Sequence, residues 1–157
     1  MIEPQITGTA RIRPNADGTY HYDAKGQPAT LLVVEARYGA FTDIVAWSQD
    51  PCRWWLRRGG QTPILGARAL AIAAWHGEPV KLYGTPKGWL QAHSRADDMD
   101  TAHRICILQP GADLRPLLDG VSRVECENAG LEEMLRRALR AWEPKLCSSS
   151  VVKRRAA

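Results

Sequence analysis

The 157-residue chain has one phenylalanine against six tryptophans, and it holds no apolar run of membrane length. Its longest hydrophobic stretch, around Leu70 to Trp75, falls far short of the roughly 20 residues a membrane helix needs, so no membrane partner is expected. The opening residues, Met1-Ile2-Glu3-Pro4-Gln5, lack the basic and apolar regions of a secretory signal, which makes the cytoplasm the expected location. Cys52, Cys106, Cys126 and Cys147 form no C-x-x-C pair and follow no regular spacing, which argues against a zinc ribbon or a disulfide framework. Neither sign of charge dominates. The 21 basic and 17 acidic residues leave +4, which admits an anionic partner without requiring one. No internal repeat is visible, and 45% hydrophobic with 24% charged residues excludes collagen-like, disordered and coiled-coil chains.

What is present divides into two differently patterned halves. From about 8 to 47, short strands alternate with turn residues. Thr9 to Arg13 reads as a strand, Pro14 to Gly18 as a turn, Thr19 to Asp23 as a second strand, and Ala24-Lys25-Gly26 as its exit. Thr30 to Ala36 is β-branched and apolar, hence a central strand; Tyr38-Gly39 breaks it, and Thr42 to Trp47 supplies a fourth. Short turns between sequential strands imply an antiparallel meander.

From about 63 to 143 the pattern becomes a small α/β layer. Leu65, Ala69, Ile72 and His76 recur at helical spacing, with Gly77 placed for a C-terminal cap. A strand over Pro79 to Tyr83 follows, then a helix started by Thr85-Pro86 and ending near Ser94. Arg104 to Leu108 reads as strand, Asp113 to Leu118 as a short helix, and Val121 to Glu125 as strand. Asn128 can cap an amphipathic C-terminal helix with Leu131, Met134, Leu135, Ala138, Leu139 and Trp142 on its apolar stripe. Glu132/Arg136 and Glu133/Arg137 would lie on its outer face, and Pro144 would stop it. The expected fold class is α+β, with residues 1–147 as one domain and 148–157 as a flexible basic tail.

Three features carry candidate chemistry. The cluster His93 to His103 contains Asp97, Asp98 and Asp100, and such carboxylates can hold a divalent cation. Asp98 and Asp100, with Glu35 at the end of an apolar strand, resemble the acidic layout of topoisomerase–primase (Toprim) domains. That resemblance implies Mg²⁺ and a metal-dependent phosphodiester or phosphoryl-transfer enzyme. A solvated loop is the ordinary reading and takes precedence, so no cofactor and no catalytic residue are expected. The turn Tyr83 to Gly88 precedes a helix, but it matches neither phosphate-binding glycine motif and reads as a capped helix start.

The third feature is Arg53-Trp54-Trp55-Leu56-Arg57-Arg58, with Arg37 and Tyr38 before it. Arginine beside aromatic rings suits single-stranded nucleic acid, guanidinium for phosphate and ring for base. In a strand, Trp54 and Trp55 face opposite sides; in a helix, both could be partly buried. Alternatively, the tryptophans anchor the junction of the halves, or one of them anchors a protein interface.

Gly8-Thr9-Ala10-Arg11-Ile12-Arg13-Pro14 followed by Tyr22 to Val34 resembles the opening of OB-fold single-stranded DNA-binding proteins. The resemblance covers about residues 8–36 and implies a binding face near Arg11, Arg13, Tyr20 and Tyr22. The later half departs from that family, and the tail, with Lys153-Arg154-Arg155, is basic where the family ends acidic. The compact, arginine- and tryptophan-rich character also resembles small accessory proteins of phages and mobile elements. The expectation is therefore a non-catalytic accessory protein whose partner is nucleic acid or a nucleoprotein complex. A protein-binding inhibitor or assembly module is the further alternative.

Overall fold

The computed structural model describes residues 6–58, 64–96, 102–109, 113–140, 146–147 and 151–154. The first half is a five-stranded antiparallel sheet built from β1 (Ile6–Pro14), β2 (Tyr20–Tyr22), β3 (Gln27–Glu35), β4 (Phe41–Ser48) and β5 (Arg53–Leu56). Their order is β2-β1-β3-β4-β5. The sheet curls because its far edge returns to its beginning. Leu56 N–H donates to Gly18 O at 3.1 Å, and Thr19 bridges Leu56 in parallel.

Both faces of this sheet are covered, and the two-residue period of a strand decides which side chain goes where. Ile12, Tyr20, Ala29, Leu31 and Ala46 fill the inside of the curl, with Ile44 and Trp55 against them. Leu32, Val34, Val45 and Leu56 face the other way and pack on Leu65, Trp89, Cys106 and Leu108 of the second half.

That half contains β6 (Ile64–Leu65), α1 (Ala67–His76), β7 (Val80–Tyr83), α2 (Pro86–Arg95), β8 (His103–Ile107), β9 (Arg123–Cys126), α3 (Ala129–Leu139), β10 (Leu146–Cys147) and β11 (Val151–Arg154). The sheet order is β10-β11-β9-β7-β8-β6, with β7 parallel to both β8 and β9. Leu70 and Ala73 of α1 and Leu135 and Leu139 of α3 cover one side, against Val80, Leu82, Ile105, Ile107 and Val124. Trp89 of α2 covers the other, where its indole N–H donates to Arg104 O at 3.1 Å. The fold class is α+β, as the sequence indicates.

Local chemistry explains the helix ends. Thr85 Oγ1 accepts from Gly88 N–H, Pro86 opens α2, and Asn128 Oδ1 accepts from Leu131 N–H. Gly77 closes α1 at φ 68° and donates to Ala73 O.

Two expectations are corrected. Asp113 to Leu118 forms turns instead of a helix: the Asp113 carboxylate accepts the Arg115 amide at 3.1 Å and so ties the chain into a local turn. Glu132, placed outside by the sequence, is buried, while its bond to Arg136 forms as expected. Trp142 and Pro144 lie outside the described residues. Within 148–157, the segment read as a tail, Val151–Arg154 pairs antiparallel with β9.

Candidate nucleic-acid interface

The Arg/Trp segment is strand β5 and its exit, and strand geometry sends its side chains to different places. Trp54 points to the second half, where its indole N–H donates to Leu108 O at 2.9 Å. It anchors the junction. Trp55 points into the curl and packs with Ala46, its cross-strand partner. Arg53 is exposed at the start of the strand. The tryptophans are therefore not a shared stacking surface.

Arg57 and Arg58 continue past the strand, and each guanidinium lies over an aromatic ring. Arg57 sits 5.4 Å from the Tyr22 ring centroid and 5.8 Å from that of Tyr20, and donates to Tyr20 O at 2.9 Å. Tyr20 is buried and Tyr22 is 50% exposed, with the rings edge-to-face at 5.8 Å. Burial, with Tyr22 adding to it, pushes the Tyr20 hydroxyl well above the usual range, so that ring is a neutral platform. Arg58 lies 5.9 Å from the centroid of Phe41, itself 53% exposed. Its backbone N–H donates to both oxygens of the buried Asp43, which also accepts Ile44 N–H. Asp43 thus fixes the path of the chain just where the two arginines leave the sheet.

Arg11 and Arg13 are exposed on β1. Arg13 pairs with Asp23 at 2.6 Å, and Arg11 donates to Gly26 O at 2.7 Å. Arg37 and Tyr38 belong to the β3–β4 turn. Arg37 reaches across to Leu117 O at 3.3 Å, and Tyr38 projects into solvent.

The acidic candidates do not gather in what is described. Glu35 is half-buried at the end of β3; Asp98 and Asp100 lie outside the described residues. Among the described residues no group of three or more His, Cys, Asp or Glu side chains could hold a metal ion. At the Tyr83 to Gly88 turn, the Glu127 carboxylate accepts Gly84 N–H at 3.4 Å and crowds Gly88. A carboxylate already seated there disfavours a phosphate.

Sequence reasoning named Arg57 and Arg58 but missed their rings as partners. Tyr20 is 37 positions from Arg57, and no local pattern joins them. Phe41 gave one signal: it is the chain's single phenylalanine and sits at a strand start after a glycine turn. No protein-family model matches the chain, and neither the curated proteins nor the solved structures compared with it give a match.

Proposed function

We propose that this chain is a non-catalytic accessory protein of the cytoplasm that contacts nucleic acid or a nucleoprotein complex, with the Arg57–Tyr22 rim as the contact. One observation carries this reading: a guanidinium held over a half-exposed tyrosine ring, anchored by a backbone carbonyl and paired with no carboxylate among the described residues. Such a pair offers a phosphate contact and a stacking face in one place. Phe41 and Arg58 repeat the motif on the neighbouring strand.

Fluorescence anisotropy with labelled single- and double-stranded oligonucleotides, at low and moderate salt, tests the reading. Affinity is expected to fall as salt rises, because phosphate contacts release counterions. Tyr22→Ala should weaken binding by about five-fold or more, the effect of losing roughly 1 kcal/mol or more of base stacking. Arg57→Lys should weaken it as well, since lysine keeps the charge but loses the planar fork. Absence of salt-dependent binding at micromolar protein defeats the proposal.

A further inference from the structure

We infer that the nucleic-acid contact crosses strand β2, from the Arg57–Tyr22 rim on the inner face of the curl to Arg11, Arg13 and His21 on its outer face, and that the ligand is therefore single-stranded. This rests on the nucleic-acid reading proposed above, to which it adds a second contact surface and the class of nucleic acid.

Strand register places these groups. Ile12 pairs with Tyr22, and Arg13 pairs with His21. Directly opposed residues share a face, and neighbours along a strand alternate between faces. Ile12 and Tyr20 are buried inside the curl, so Tyr22 lies on that inner face at its mouth, where Arg57 covers both tyrosine rings. Arg11, Arg13 and His21 consequently occupy the outer face, and all three are exposed. Strand β2 ends the sheet order. Its closure against β5 stops short of Tyr22: after the Thr19–Leu56 bridge and the Leu56–Gly18 bond, Arg58 N–H turns to Asp43 and the Arg57 guanidinium takes Tyr20 O. Among the described residues no strand pairs with the free edge of β2 at Tyr22.

The outer face is not uniformly positive. Asp23 pairs with Arg13 through one oxygen and accepts Lys25 N–H with the other, while the Asp17 carboxylate is turned to the Thr19 amide and hydroxyl. His21 Nδ1 lies 3.2 Å from Asn15 Oδ1. Arg11 donates to Gly26 O and has no carboxylate partner among the described residues, so it carries the available outer charge. A backbone that meets Arg57 on one face and Arg11 on the other has to bend around β2, across a layer about 10 Å deep. Duplex DNA holds its direction over about 50 nm, so it can lie along one face only. A single strand bends freely, and its unstacked base can lie against the half-exposed Tyr22 ring.

The test titrates the full chain with a single-stranded oligonucleotide and with the duplex of the same sequence, by anisotropy over a range of salt and by NMR. The single strand should bind about ten-fold more tightly than the duplex. The Arg11 and Tyr22 signals should move together and saturate at one oligonucleotide per chain. Arg11→Gln should lower the slope of log affinity against log salt by about 0.7, the share of one phosphate on a single strand, whereas Arg11→Lys should keep the slope. Asp23→Asn, which removes the carboxylate from Arg13 and leaves an acceptor for Lys25 N–H, should tighten binding by about two-fold or more at low salt. The inference is overturned, with the Arg57–Tyr22 contact intact, if duplex and single strand bind alike, or if the Arg11 and Tyr22 signals saturate at different concentrations. The same holds if Arg11→Gln keeps the parent slope while Tyr22→Ala weakens binding. No salt-dependent binding of either form overturns both this inference and the nucleic-acid reading.

Discussion

Replacing Trp54 by phenylalanine separates a junction anchor from a ligand contact. The indole N–H reaches Leu108 O at 2.9 Å, and Leu108 is buried. Removing the donor leaves that carbonyl without its partner, at a cost of about 1–2 kcal/mol. Phenyl is also smaller than indole, and for a half-buried ring the lost burial adds roughly 1 kcal/mol. The total is about 2–3 kcal/mol. For a chain of this length that corresponds to a fall in Tm of about 5–10 °C. Urea unfolding followed by far-UV circular dichroism measures it without depending on tryptophan emission.

The same variant should leave oligonucleotide affinity within about two-fold, because Trp54 faces the second half and not the Arg57–Tyr22 rim. A reduced dependence of stability on urea would mean that the two sheets have begun to unfold separately. If Trp54→Phe unfolds within about 0.5 kcal/mol of the parent, the hydrogen bond does not hold the junction. If stability survives while oligonucleotide binding is lost, Trp54 is a contact residue and the assignment of sides is wrong.

Gly26→Ala should be among the most damaging single changes, since its Cβ would stand against the Ile12 carbonyl, a backbone atom that cannot swing aside. Thermal melting should show a loss of about 2 kcal/mol or more, and a near-neutral result would mean that the β1–β3 pairing adjusts freely. Asn128→Ala removes the cap on Leu131 N–H and should cost about 1 kcal/mol, with Asn128→Ser recovering most of it in denaturant melts. The Asp113 carboxyl is held down to about 2, first by the Arg115 side chain and then by the Arg115 amide. Its contribution to the loop is present above the usual carboxyl value and lost as pH falls through about 2. NMR titration should give that low midpoint in the parent and a return toward 3.8 in Arg115→Gln; equal midpoints would show that Arg115 is not the cause.

Elements governed by neighbours in sequence were legible. The turns at Pro14 to Gly18 and Ala24 to Gly26, and the caps at Gly77, Thr85 and Asn128, depend on residues within one helical or hairpin turn. β5 was ambiguous because both its faces are covered: Trp54 and Leu56 pack one way and Trp55 the other, which erases the polar alternation that marks a half-buried strand. The Asp113 turn was misread because a carboxylate can bond its own chain as readily as it caps a helix. The curl of the first sheet depends on the Leu56–Gly18 bond, and nothing short-range encodes that closure. At the candidate interface the arginines could be named from sequence, but the faces they serve could not, since the rings arrive from β2 and β4.

That difference between naming a residue and knowing its face also separates the arginines by how they are held. Among the described residues five arginines pair with carboxylates, three of them on α3 and β9, far along the chain from the Arg/Trp segment. Arg11, Arg37 and Arg57 are anchored differently, each donating to a backbone carbonyl from another part of the chain: Gly26, Leu117 and Tyr20. A carbonyl fixes the guanidinium without cancelling its charge. The side chain has already lost much of its rotamer freedom in the folded protein, so an arriving anion need not immobilise it. All three anchored arginines belong to the first half, on β1, the β3–β4 turn and the exit of β5. The curled sheet thereby presents these three guanidinium groups in a preorganised form.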